Sequence, residues 1–151
     1  MKIVVLGLVA AIAAMAAAAD VDVYSPQDLQ AREQKLSQKR SQFASEPLKK
    51  YGTTHYTMLA YREATGSSEL HEKEADVFFV VEGSASILTG GKLVNAHTEK
   101  PGELRGTSIE GGQRQALAKG AVIHIPAGTP HQLLIEKGKP FTYFVVKVIE
   151  Q

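Results

Sequence analysis

The sequence predicts an all-β fold, a sandwich or barrel of short strands, preceded by one N-terminal α-helix. Three observations carry this. From Tyr51 onward, apolar and β-branched residues recur at period two, as half-buried strands require. Glycine turns separate these runs at Gly66, Gly83, Gly90-Gly91, Gly111-Gly112, Gly128 and Gly138. Upstream of Tyr51 the signal is helical instead, opening at Ser25-Pro26-Gln27-Asp28. Many short strands with glycine turns close into sandwiches or barrels.

The chain has 151 residues, enough for one domain. Met1-Lys2 and the unbroken small and apolar run Ile3 to Ala19, ending Ala17-Ala18-Ala19 before Asp20, have the pattern of a secretory signal peptide over 1–19. The run falls short of a comfortable transmembrane span of about 20 residues. The expectation is a secreted or periplasmic protein, free of the membrane after cleavage. Cleavage removes one of the 17 basic residues and none of the 16 acidic ones, leaving 16 of each. A formally neutral chain has no basic field for nucleic acid. Cysteine is absent, so the exported chain is held by core packing alone, for which about 130 residues suffice.

Residues 20–50 read as a helical extension. Ser25 can cap, Pro26 suits the first helical position, and Asp28 completes a capping box. The helix is predicted to run to about Phe43, with Leu29, Leu36 and Phe43 as one thin apolar stripe. Arg32, Lys35, Lys39 and Arg40 form a solvated face. Residues 51–151 form the β domain. Strands are expected at 55–62, 77–81, 85–89, 104–109, 121–125, 131–136 and 141–149, with 92–103 as a long polar connection.

Two segments carry chemistry. In Gly120-Ala121-Val122-Ile123-His124-Ile125-Pro126-Ala127-Gly128-Thr129-Pro130-His131, a short strand with Ala121, Ile123 and Ile125 on one face meets a Pro/Gly turn. His131 is delivered on stiff backbone just beyond it. In the second segment, Glu69 and His71 lie two apart on one strand and share a face, and Asp76 begins the next strand beside them. Two imidazoles and one or two carboxylates converging in a barrel form a hard N/O ligand set suited to Fe, Mn, Ni, Zn or Cu. A polar cluster without metal is the alternative.

The spacing Gly-x5-Pro-x-Gly-x2-His over Gly120 to His131 resembles the second signature motif of the cupin superfamily. The first motif of that superfamily is usually His-x-His, three or four residues, Glu, six residues, Gly. Glu69-Leu70-His71, Glu72 to Ala75, Asp76 and Gly83 match its spacing, with Glu69 in place of the first histidine and Asp76 in place of the glutamate. The resemblance spans about Tyr51 to Val148. It implies a cupin double-stranded β-helix, a jelly-roll barrel, with a divalent transition metal on His71, His131, Asp76 and Glu69. It further implies a small oxygen-rich ligand or substrate, carbohydrate-like or enol/carboxylate, and a homodimer. Oxygenase or isomerase chemistry and non-catalytic sugar binding both occur on this fold.

The remaining histidines are assigned elsewhere. His124 alternates with Ile123 and Ile125, which points it to packing or a dimer contact. His97 is exposed in a polar loop, and His55 joins the pocket only if its strand face points inward. Tyr61, Arg105, Gln115 and Lys147 are polar residues on strands, each able to line a pocket, with a neutral surface position as the default for each. The absence of tryptophan, and Asp20 as the first mature residue, argue against a copper histidine brace acting on polysaccharide.

Overall fold

A computed structural model describes residues 21–39 and 41–150. The expected signal peptide lies outside the described residues. Among the described residues one helix, α1 (Pro26–Ser37), opens the fold, with Ser25 and Asp28 closing the capping box. Thirteen strands follow: β1 (Phe43–Tyr51), β2 (His55–Arg62), β3 (Ser68–His71), β4 (Glu74–Glu82), β5 (Ser84–Thr89), β6 (Lys92–Val94) and β7 (His97–Lys100). After these come β8 (Glu103–Gly106), β9 (Ser108–Glu110), β10 (Gln113–Ala118), β11 (Val122–Ile125), β12 (His131–Leu134) and β13 (Phe141–Ile149). The fold is all-β with one N-terminal helix.

Two antiparallel sheets face each other, ordered β1-β2-β13-β4-β11 and β10-β5-β12-β3-β8-β7, with β6-β9 as a separate pair. Ala60, Phe78, Phe141, Tyr143 and Val145 from the first sheet meet Ile87, Leu117 and Leu133 from the second. Period two turns the alternate residues of β2 outward, and there Leu59 and Tyr61 pack with Ala44 against Leu36 of α1. The helix therefore lies outside the barrel, on the back of the first sheet.

The helix is shorter than expected. It ends at Ser37, and Phe43 is the first residue of β1 rather than the last of the apolar stripe. β1 is an edge strand whose Pro47 sits at a register shift, a place where a missing N–H is tolerated. The polar connection 92–103 also contains two short strands, β6 and β7. All four residues of β7 are exposed at a sheet edge, so no apolar alternation marks it. The run expected at 104–109 is interrupted at Thr107 into β8 and β9.

Candidate metal centre

Strand register builds the site as two facing rows. On the second sheet, His131 of β12 stands opposite Glu69 of β3, and Glu69 opposite Arg105 of β8, while His71 stands opposite Glu103. On the first sheet, Lys147 of β13 lies between Asp76 of β4 and Tyr56 of β2. Directly opposed residues of paired strands share a face, so each row points inward together. Below them Phe78, Val145 and Met58 make an apolar floor in the next row of the first sheet.

The Nε2 atoms of His71 and His131 each lie 3.4 Å from Asp76 Oδ2, and His71 Nε2 lies 3.5 Å from Glu69 Oε2. The ligand atoms of Glu69, His71 and His131 all fall within 4.8 Å of one another. Both imidazoles are held from behind. His131 Nδ1 donates to the Thr129 carbonyl at 3.0 Å, and His71 Nδ1 donates to Glu103 Oε2 at 2.5 Å. The Thr129 carbonyl can only accept, which places the His131 ring proton on Nδ1; in both rings Nδ1 is engaged from behind and Nε2 faces the cavity.

Comparison with solved structures identifies the architecture. The cupin domain of Cnp3 from Schizosaccharomyces pombe matches with TM-score 0.55 at 9% identity, over 74% of this chain and 67% of that one. A cupin superfamily protein of Desulfitobacterium hafniense DCB-2 matches with TM-score 0.50 at 15% identity, over 72% and 79%. The chain has the cupin fold. The DMSP lyase DddQ of Ruegeria pomeroyi DSS-3 also matches, with TM-score 0.50 at 20% identity over 71% of this chain. The chain spans about half the length of that lyase, 47% of it. No family model and no curated protein matches the sequence.

The centre of the site carries a dense set of opposed charges. Glu69, which occupies the place of the first motif histidine, is gripped by two guanidiniums: Arg62 Nη2 at 3.2 Å and Arg105 Nη1 at 2.6 Å. Burial would raise its pKa, but contact with His71 and the two arginines outweighs this and holds the carboxyl well below its ordinary range. Glu69 points into the site, yet its oxygens are largely committed to Arg105 and Arg62. Asp76, only 1% exposed, has the Lys147 ammonium 2.6 Å from Oδ1 and the two imidazoles beside Oδ2. Among the described residues neither of its oxygens accepts an aligned hydrogen bond. Burial opposes its charge, while His71 and Lys147 lower its pKa.

The two histidines diverge. Burial dominates at His131 and lowers its pKa, so the ring is neutral. Burial acts the same way at His71, but Asp76 and Glu69 overcome it and push the ring up to about 9. Lys147 Nζ stands 2.7 Å from His71 Nε2, too close for both to carry a proton along that axis, so with the ammonium docked Nε2 keeps its lone pair and the proton that Asp76 and Glu69 favour is displaced.

A cavity of ≈ 240 Å³ opens above Lys147, Asp76, His71 and Glu103, with Phe43 and Lys100 also in its wall. A void of ≈ 20 Å³ lies deeper, between His131, Glu69 and Phe78.

Of the polar strand residues, Arg105 and Lys147 line the main cavity. Tyr61 does not: it faces outward and is buried beneath α1. Gln115 is exposed on edge strand β10. His124 and His97 are exposed, and His55 stacks on Tyr51 with its Nδ1 2.8 Å from Thr54 Oγ1. Glu103 and Arg62 were not singled out from the sequence, although Glu103 immediately precedes the strand expected from 104 and Arg62 closes a strand correctly placed.

Proposed function

We propose that this chain is a cupin that binds one divalent transition metal through His71, His131 and Asp76, with Glu69 beside them, and receives a small oxygen-rich molecule in the cavity above. One observation carries the reading. The His131 Nε2 lone pair faces Asp76 Oδ2 at 3.4 Å, two buried acceptors turned toward each other. Such a pair is unfavourable unless a cation lies between them. The 3.4 Å edges also fit a tetrahedral ligand set with bonds of about 2.1 Å. Two histidines and one carboxylate suit Fe, Mn, Ni, Zn or Cu and leave positions open.

A bound divalent ion would supply Lewis-acid polarisation of a carbonyl or enediol oxygen. Around it, Phe78, Val145 and Met58 exclude water from below. Lys100 in the wall offers a donor to an enol or carboxylate oxygen of such a ligand. Oxygenase and isomerase chemistry are both compatible with this set. The motif at 1–19 supports export to a secreted or periplasmic location. Phe79 is 43% exposed and Val122 58% exposed on neighbouring strands, which supports a homodimer through the outer face of the first sheet.

A second reading, a metal-free binding pocket, is favoured by the Lys147 contacts to His71 and Asp76. Elemental analysis of protein purified without a histidine tag, followed by calorimetry with each metal in turn, separates the two. Stoichiometric binding that disappears in His131→Ala supports the metal reading. No binding of any ion by the wild type or by a Lys147 variant overturns it.

A further inference from the structure

β13 directs Phe141, Tyr143 and Val145 into the core, and period two makes Lys147 the next residue on that face. It is only 8% exposed, and lysine is almost never buried without a partner. Its partners are His71 Nε2 at 2.7 Å and Asp76 Oδ1 at 2.6 Å, two members of the ligand set. We propose that Lys147 is a tethered cation that competes with the metal for His71 and Asp76, so that an ion enters only by displacing its ammonium. The inference rests on the metal reading above.

Three arguments support it. His71 Nδ1 is engaged by Glu103, so Nε2 is the one ring position open to the cavity, and the Lys147 ammonium stands against it at 2.7 Å. The Lys147 N–H and a metal–nitrogen bond both require the Nε2 lone pair, so they exclude each other. Charge agrees. Glu69, Asp76 and Glu103 are matched by Arg62, Arg105 and Lys147, so withdrawal of the ammonium restores the negative charge that favours a dication. Space agrees too. Lys147 lines the ≈ 240 Å³ cavity together with Glu74. Glu74 shares the inward face of β4 with Asp76 and is a diagonal neighbour of Lys147, so the displaced ammonium has a carboxylate to turn to.

The consequence is a threshold. The ligands set the order of affinities, and the docked ammonium lowers all of them by one common factor. Ions high in the Irving–Williams order, such as Zn(II), Ni(II) and Cu(II), therefore still displace it, while Mn(II) does so poorly.

The test compares wild type and Lys147→Met by calorimetry with Zn(II) and Mn(II). In the wild type it also follows the lysine ammonium resonances by ¹H–¹⁵N NMR during zinc addition. The variant is expected to bind Zn(II) at least tenfold tighter and to gain a similar factor for Mn(II). One protected ammonium resonance of the wild type is expected to vanish at one equivalent of zinc. Zinc binding by the variant alone, with a silent wild type, also supports the inference. Equal affinities with an unchanged ammonium resonance overturn it and leave the metal reading standing. No binding by either protein overturns both. Lys147→Gln, similar in length and uncharged, replaces the Met variant if the latter does not fold, and the wild-type NMR measurement needs no variant.

Discussion

Glu103 Oε2 lies 2.5 Å from His71 Nδ1, directly across the β3–β8 pair. That contact fixes the tautomer and orientation of the imidazole, and so decides that Nε2 faces the cavity. A carboxylate in this position behind a ligating histidine also raises its basicity.

Replacing Glu103 with Gln keeps the shape but loses the charge, and its amide can offer a donor where an acceptor is required. Zinc affinity is expected to fall by about 10–100-fold, the usual effect of losing such a partner. Competition against a chromophoric chelator measures it, and unchanged affinity would remove Glu103 from the site.

The helix is expected to stabilise the fold without affecting the site. Leu36 is 2% exposed and packs against Leu59, Tyr61 and Ala44 on the outer face of the first sheet. Leu36→Ala should cost about 2–5 kcal/mol, as a buried leucine truncation does. Ser25→Ala should cost about 1 kcal/mol through the lost cap. Urea denaturation gives both values, and metal affinity is expected to stay constant in the folded variants.

Two glycines of similar backbone conformation separate strain from crowding. Gly83 has φ of 83°, and a Cβ there would stand 2.2 Å from the Pro140 carbonyl oxygen where β4 turns into β5. Gly120 has φ of 84° with nothing within 4 Å of the added atom. Gly120→Ala should therefore cost only the left-handed strain, about 1–2 kcal/mol. Gly83→Ala should cost about 3 kcal/mol or more, since backbone must also move. Equal losses in thermal denaturation would contradict the close approach at Gly83.

The central strands and the convergence of His71 and His131 are legible in the sequence because burial imposes alternation on the strands that carry them. β2 and β13 match their expected bounds, and Gly120 to His131 forms the strand, turn and histidine read from its spacing. The missed strands β1, β6, β7 and β10 all pair on one side only. An edge strand needs only backbone pairing on one side and tolerates Pro47 or an all-polar run, so its side chains carry little signal. Glu103 and Arg62 were illegible for another reason. Their place in the site follows from register between distant strands, which periodicity within one strand does not determine. Lys147 left a partial trace, as a lysine at an inward position of an otherwise apolar strand.

Asp76 is where the sequence departs from the usual glutamate of the resembling motif, and its shorter reach suggests a retracted ligand. β4 compensates. Its pairing with β13 and β11 places Asp76 between Lys147 and Ile125, and Oδ2 already reaches to 3.4 Å from both imidazoles. Asp76→Glu would add about 1.5 Å of side chain at a position 1% exposed. The longer carboxylate must fold back or press on the histidines, so zinc affinity is expected to fall by about tenfold or more, because metal bonds tolerate only about 0.2 Å. Asp76→Asn keeps the shape and removes the charge. It should abolish zinc binding and destabilise the metal-free protein by about 3 kcal/mol, because Lys147 is left buried without its counter-ion. Combining it with Lys147→Met should recover most of that stability, and a double-mutant cycle in urea measures the recovery. If Asp76→Glu binds zinc more tightly than the wild type, the aspartate is too short after all, and the ion sits farther from β4 than the two histidines place it.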